Sequence, residues 1–95
     1  MTHVVITGQL VCADLREADI VTQHLDQHVA LTRAEPGCLE FTVERTDDEL
    51  VWQVLERFRD TAAFHAHQTR TAESEWGRAT KGITRHFTVE GLAPR

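Results

Sequence analysis

The residues best suited to chemistry are a glutamate at the end of one predicted strand and two histidines in the first turns of the helix that follows. Glu56 lies in the run LVWQVLERF, and His65 and His67 lie in the run RDTAAFHAH. A carboxylate and an imidazole placed where a sheet passes into a helix can transfer a proton to or from a bound molecule. No nucleotide-binding or metal-binding motif accompanies them, so the pattern favours a small-molecule pocket.

The spacing of the histidines argues against a metal site. Because His65 and His67 are two residues apart on a helix, they point about 200° apart, and a zinc site normally needs three or four ligands. His86 on the last predicted strand offers only a distant third ligand. His24 and His28 are four residues apart and can share a helix face. We expect that pair on the solvent side of the helix or at the edge of a cavity.

Length and composition limit the function classes. The 95 residues, 41% of them hydrophobic, predict one domain over residues 1–95 with one modest core. A net charge of −5 argues against a general nucleic-acid binder, and no apolar run reaches the ~20 residues that a membrane span needs. The N-terminus is typical of a strand rather than a signal peptide. Cys12 and Cys38 lie outside any CxxC pattern, which predicts reduced, packed thiols in a cytoplasmic protein.

Alternating hydrophobicity and capping signals predict an α+β domain in the order βαββαβ. Asp14 and Glu17 form a capping-box pattern at the start of the first helix, Pro36-Gly37 ends it, and Asp60 caps the second helical segment. The predicted strands cover 4–12, 39–43, 50–58 and 83–89, and the predicted helices cover 14–33, a segment from residue 60, and 72–81. This order predicts an antiparallel sheet with helices on one face and with the first and third strands in its centre.

The third predicted strand is apolar on both faces. Trp52, Val54 and Phe58 lie on one side, and Val51 and Leu55 lie on the other. A strand buried on both faces needs a second layer. Helices can cover one face, and a partner subunit is the expected cover for the other.

The chain resembles the antibiotic biosynthesis monooxygenase family. The matching segments are EPGCLEF at 35–41, LERF at 55–58, Asp60, and the alanines and histidine of 62–67. The resemblance implies a dimeric α/β-barrel of ferredoxin-like topology, a homodimer whose sheets pack face to face, with a cavity between sheet and helices in each subunit. The better-known members oxidise quinols, anthrones or related aromatics with O2 and without metal, flavin or other cofactor.

The resemblance assigns the catalytic positions. His67 occupies the position of the family's histidine and would act as a base or hydrogen-bond donor. Glu56 occupies the position of the family's glutamate and could orient His67 or a substrate hydroxyl. The alternative for Glu56 is a structural carboxylate paired with Arg57 or Arg85. The chain has no tyrosine, so a phenolic proton donor is absent.

Aromatic and basic residues nearby are candidates for substrate binding. Trp76 is on the segment expected to cover the cavity, and core packing is the alternative for Trp52. A planar substrate would pack against such aromatic side chains. The predicted substrate-binding residues are Trp76, Phe64, Trp52, His65 and Arg85.

Three functions remain open on the sequence alone. The first is a cofactor-independent monooxygenase, which a cavity lined by Trp76, Phe64 and Leu25 would favour. The second is an isomerase of a small phosphorylated ketone, which needs arginines clustered beside His67. The third is a non-catalytic ligand-binding or dimerisation module, for which a filled interior would be expected.

Overall fold

Four strands form one antiparallel sheet, and three helices pack on one of its faces. The computed structural model describes residues 2–93. The elements are β1 (Val4–Val11), α1 (Leu15–Arg33), β2 (Cys38–Arg45), β3 (Val51–Phe58), α2 (Thr61–Glu73), α3 (Glu75–Ala79) and β4 (Thr84–Glu90). The strand order is β2-β3-β1-β4. The predicted ferredoxin-like α+β arrangement, with the first and third strands in the centre, is confirmed.

Strand alternation divides the sheet into two faces. On the inner face, β1 and β3 present Ile6, Leu10, Trp52, Val54 and Phe58, all of them buried under the helices. On the outer face, the same two strands present valines and a leucine that are only half-buried: Val5, Val11, Val51 and Leu55. The two-sided apolar character predicted for the third strand is therefore present, and no helix or strand within residues 2–93 covers the outer face.

The capping of α1 follows the predicted pattern with one difference. Asp14 Oδ1 accepts from the Glu17 amide at 2.9 Å, but Glu17 Oε1 accepts from the amide of Ala13 at 2.7 Å rather than from that of Asp14. The buried stripe of the helix also differs from the predicted one. It contains Ala18 and Val21 as expected and continues through His28 and Thr32, whereas Leu25 and Val29 are only half-buried, with Leu25 packed against the core.

The second helical region is divided differently from the prediction. Asp60 caps α2 as expected, with Oδ1 accepting from the Ala63 amide at 2.8 Å. The helix predicted over 72–81 is wrong in its bounds, because α2 continues to Glu73 and α3 begins after Ser74. Ser74 Oγ accepts from the Gly77 amide at 3.0 Å. A Cβ at Gly77 would collide with the Thr71 carbonyl oxygen, so glycine permits the tight packing of α3 on α2.

No helix within residues 2–93 is both long and apolar enough to cross a membrane. Cys12 and Cys38 are free thiols, the first buried and the second half-buried.

Candidate active site

A cavity of about 420 Å³ lies between the inner face of the sheet and the helices. Its size is within the range of sites for small organic ligands. Most of its wall is apolar, formed by Ile6, Leu10, Phe41, Val54, Phe64 and Trp76, and its polar members include His28, Glu56, His67, Thr71 and Arg85. Phe87 and Val89 on β4 also line the cavity, and their side chains are 38% and 39% exposed. The opening of the cavity is therefore beside β4.

His67 is buried in the cavity wall and is held by a carboxylate from another element. Its Nδ1 lies 3.1 Å from both carboxylate oxygens of Glu35. Arg70 Nε donates to Glu35 Oε2 at 2.5 Å, and Arg70 Nη2 donates to Thr32 Oγ1 at 3.0 Å. A neutral imidazole in this position donates its Nδ1 proton to the carboxylate, so Nε2 is left as the basic nitrogen. Burial lowers the pKa of His67, and the charge of Glu35 opposes that effect.

The EPG segment brings Glu35 to His67 through a close backbone approach. Gly37 lies against α2, where a Cβ on this glycine would overlap the Cβ of Ala63. Ala63 is one turn before His67 and shares its helix face. The Arg59 amide donates to the Gly37 carbonyl at 2.8 Å, which fixes the segment on the end of β3. Glycine at 37 thus sets the distance between the loop that carries Glu35 and the helix that carries His67.

Glu56 is buried on the other side of the His67 ring. Its Oε1 lies 3.6 Å from His67 Nε2, too far for a well-formed hydrogen bond. Burial raises the pKa of Glu56 to about 7, the charge of Glu35 adds to the rise, and Arg85 opposes it. A carboxyl group with this pKa is available both as a proton donor and as a proton acceptor near neutral pH.

Neither of the two arginines expected beside Glu56 forms an ion pair with it. Arg57 lies on the outer face of the sheet and contacts Glu40 at 3.5 Å. Arg85 lines the cavity, but its guanidinium donates to the carbonyls of Thr80 and Ile83 at 3.0 Å and to Thr80 Oγ1 at 2.8 Å. The carboxylate that orients His67 is that of Glu35, and Glu56 faces the other ring nitrogen.

Trp76 and His28 form one wall of the cavity. Their rings stack in parallel, with centroids 4.5 Å apart and an interplanar angle of 1°. Phe41 meets the His28 ring edge-on at 5.3 Å. His28 is 4% exposed, and burial lowers its pKa to about 3, with added repulsion from Arg70, from Arg85 and from His67 when that ring is protonated. This ring is therefore a neutral imidazole at physiological pH.

Two residues predicted to bind substrate are elsewhere. Trp52 is 4% exposed and belongs to a core cluster with Leu10, but it does not line the cavity, and the Arg45 guanidinium lies 4.6 Å above its ring. Trp52 is opposite Arg45 near the start of β3, and its side chain packs in the core. His65 is exposed. Because it precedes His67 by two residues on the helix, its side chain points about 200° away from that of His67. Trp76, Phe64 and Arg85 do line the cavity, whereas Leu25 does not.

Two residues of the site, Glu35 and Arg70, were not predicted from the sequence, and a third, His28, was expected on the solvent side of its helix or at the cavity edge but is buried. Glu35 belongs to the EPG segment, but nothing local indicates its contact with a helix thirty-two residues later. Arg70 follows His67 by three residues, which is a spacing that places both on one helix face. His28 follows Val21 by seven residues, and that spacing could have identified it as a member of the buried stripe.

Within residues 2–93, no group of three or more His, Cys, Asp or Glu side chains is arranged to hold a metal ion. The polar residues of the cavity can hold and transfer protons and can form hydrogen bonds with a ligand.

Comparison with known proteins gives one family match and several structural matches. The sequence profile of the antibiotic biosynthesis monooxygenase family matches residues 1–79. No functionally curated protein matches the chain. SnoaB, a cofactor-independent oxygenase from Streptomyces nogalater, superposes with a TM-score of 0.78 at 12% identity, over 100% of this chain and 97% of that one. PA3566 from Pseudomonas aeruginosa superposes with a TM-score of 0.77 at 21% identity, over 99% of this chain and 97% of that one. Rv0793 from Mycobacterium tuberculosis superposes with a TM-score of 0.73 at 21% identity, over 99% of this chain and 96% of that one.

Proposed function

The chain belongs to the antibiotic biosynthesis monooxygenase family, and from that premise we propose that it is a cofactor-independent monooxygenase that oxidises a quinol, an anthrone or a related aromatic with O2. The observation that carries the proposal is the orientation of His67. Its Nδ1 is held by Glu35, while its Nε2 is beside Glu56 and Thr71 in the wall of a largely apolar cavity. This is the geometry of a general base for a bound aromatic.

The proposed reaction is balanced without an external reductant. The methylene carbon of an anthrone and one molecule of O2 give a ketone and one molecule of water, and a quinol that becomes a hydroxyquinone gains one oxygen atom with the same release of water. His67 Nε2 takes a proton, and the resulting anion passes one electron to O2. The two radicals combine to form a C–O bond. Loss of the second C–H proton and cleavage of the O–O bond then give the ketone and water.

Glu56 has the properties of the group that assists the final step. Cleavage of the O–O bond releases hydroxide, which must take up a proton. With a pKa of about 7, part of the Glu56 population is protonated at neutral pH. Its Oε1 is 3.6 Å from His67 Nε2, so a proton taken by the imidazole can be returned through the carboxyl group once a substrate oxygen bridges them.

The apolar wall supports the same proposal. A substrate anion and superoxide are both reactive towards water and protons, so an apolar wall that packs against the substrate limits side reactions. The stacked Trp76–His28 pair provides a flat surface on which a planar ring can pack.

The two other functions open on the sequence have less support. The isomerase needs a phosphate site built from arginines, yet Arg45 lies over Trp52 and Arg57 is on the outer face of the sheet. Arg85 alone of the three candidates lines the cavity, and its guanidinium donates to Thr80 and Ile83. A dimerisation module would be expected to fill its interior, whereas this interior holds a cavity of about 420 Å³. A non-catalytic ligand-binding module would share the cavity and differs from the oxygenase in having no turnover.

We also propose that the protein works as a homodimer that covers the outer face of the sheet. The half-buried Val5, Val11, Val51 and Leu55 lie on the two central strands of that face. Sedimentation at micromolar concentration should give a dimer, and Leu55→Arg should shift it towards the monomer by placing a charge at the contact. A wild-type monomer would contradict this proposal.

Isotope labelling tests the oxygenase proposal. The chelator-treated protein is incubated under 18O2 with a panel of hydroquinones and anthrones, each compared with its own spontaneous oxidation. The expected product carries one 18O atom from O2, and it forms faster than in the protein-free control. An absence of protein-dependent label with every member of the panel would contradict the proposal.

A further inference from the structure

His28 is the one imidazole of the cavity that the proposed reaction does not use. Its ring is fixed by the parallel stack on Trp76 and the edge contact with Phe41. Its centroid lies 6.0 Å from that of His67, so both rings can reach one small planar molecule. A ring fixed in this way is preorganised and needs no movement to contact a ligand.

The environment of its nitrogens indicates which one carries the proton. Nδ1 is fully enclosed and has no hydrogen-bond partner within residues 2–93. A buried N–H without a partner is rarer and costlier in proteins than a lone pair without one. Nε2 of His28 is not among the enclosed, unpartnered nitrogens of residues 2–93, and the His28 ring lines the cavity, so we assign the proton to Nε2. The two imidazoles then have opposite roles, because Nε2 of His28 is a donor and Nε2 of His67 is an acceptor.

We propose that His28 is a second catalytic residue, which donates a hydrogen bond from Nε2 to the substrate oxygen that becomes anionic when His67 removes the proton. The inference rests on the proposed function and narrows its substrate class. The substrate is a planar aromatic with a carbonyl or phenolic oxygen conjugated to the position that loses the proton. The electron pair left by that proton moves onto this oxygen, no bond to His28 forms, and the hydrogen bond strengthens as the negative charge develops.

The electrostatic surroundings of His28 are consistent with an anion at this position. Its ring faces His67 and Arg70 of α2, and Arg85 of β4 is also close enough to act on its charge state. Glu56 of β3 is the acidic group of the same wall. Arg70 and Arg85, and His67 once it has taken the substrate proton, disfavour an imidazolium at His28 but favour an oxyanion beside it.

An absorbing ligand tests this role without any turnover. The probe is 1,2-dihydroxyanthraquinone, whose phenol and phenolate forms have different visible spectra. We expect the wild-type protein to bind the phenolate more tightly than the His28→Phe variant by about tenfold to a hundredfold, the range for a hydrogen bond to a charged group. The difference between the two proteins should be smaller for the neutral phenol, because a hydrogen bond to a neutral oxygen is weaker. His28→Gln, which retains an N–H donor, should recover part of the difference.

Matched controls separate this role from a structural one. His24→Phe changes a histidine one turn earlier on α1 that does not line the cavity, and it should bind the phenolate like the wild type. His28→Phe keeps an aromatic ring on Trp76 and removes the unpartnered Nδ1, so its thermal midpoint at pH 7 should equal or exceed that of the wild type. With an accepted quinol, it should lower kcat by about 10²-fold or more with a smaller change in KM.

The outcomes distinguish this inference from the proposed function. Equal phenolate binding by wild type and His28→Phe, or no binding of the probe by the wild type, would overturn the inference. If oxygen uptake occurs nonetheless, the oxygenase proposal stands without His28. If His28-dependent phenolate binding is found and no quinol or anthrone is oxidised, the donor role stands and the oxygenase proposal is wrong.

Discussion

Glu35 and His67 are thirty-two residues apart in the chain, yet both carboxylate oxygens of Glu35 lie 3.1 Å from Nδ1 of His67. Arg70 holds the same carboxylate from the next turn of the helix. The pair fixes one ring nitrogen and leaves the other beside the cavity. The proposed chemistry depends on this contact, because an imidazole that is free to rotate or change tautomer is a poorer base.

Glu35→Gln should weaken the base while preserving the shape of the contact. The charge of Glu35 raises the pKa values of both His67 and Glu56. Without that charge, both limbs of the pH profile of kcat/KM should move to lower pH, and turnover should fall about 10- to 100-fold. Steady-state kinetics between pH 5 and 9 measure both effects.

Glu49→Gln is the matched control for this change, because Glu49 is exposed in the turn between β2 and β3 and does not line the cavity. It should keep wild-type turnover and an unshifted profile. A Glu35→Gln variant that behaves like this control would remove Glu35 from the mechanism.

Glu56 should make the protein progressively less stable as the pH rises from about 4.5 to 7. Its pKa rises from 4.5 in the unfolded chain to about 7 in the folded protein. Below pH 4.5 both states are protonated and Glu56 has no effect. Between pH 4.5 and 7 the unfolded state loses its proton first, so the free energy of unfolding falls by up to roughly 3 kcal/mol, at ~1.4 kcal/mol per pH unit.

Glu56→Gln removes this titration. Urea unfolding of the variant at pH 5 and pH 8 should therefore show a smaller loss of stability with rising pH than the wild type does. Glu44→Gln, at the exposed end of β2, should retain the wild-type dependence. The same pH dependence in wild type and Glu56→Gln would show that Glu56 is not the group responsible.

Gly37→Ala should disturb the Glu35–His67 contact through a steric effect. The added methyl would overlap Ala63 on α2, and overpacking of this kind costs about 1–3 kcal/mol. A second change, Ala63→Gly, removes the colliding atom and should recover part of the loss. A double-mutant cycle of unfolding free energies measures the coupling between the two positions.

Gly82→Ala is the control for the glycine change itself, since no atom lies within 4 Å of a Cβ at that position. It should leave stability nearly unchanged. Additive effects of Gly37→Ala and Ala63→Gly would contradict the proposed close approach.

The fold was largely predictable because its signals are local. Alternation along β1 and β3, and the caps at Asp14 and Asp60, each involve residues within a few positions of one another. The division between α2 and α3 was missed, although Ser74 and Gly77 carry its signal. That division depends on how closely α3 packs on α2, which helix periodicity does not report.

The site was only partly predictable because its contacts are long-range. His67 was identified through the family resemblance, whereas its partner Glu35 comes from a loop that only the folded chain brings near. His28 was expected at the solvent side or the cavity edge, and its burial follows from the packing of Trp76 on α1. His65 and Trp52 were chosen by residue type, and their positions in the fold direct them away from the cavity.

Oxygen uptake by His67→Ala and His65→Ala tests the central claim most directly. The two histidines are on the same helix, one buried beside Glu35 and the other exposed. With an accepted quinol or anthrone, we expect His67→Ala to consume O2 about 10²-fold more slowly than the wild type, while His65→Ala retains the wild-type rate. Wild-type uptake by a folded His67→Ala variant would contradict the assignment of His67 as the base.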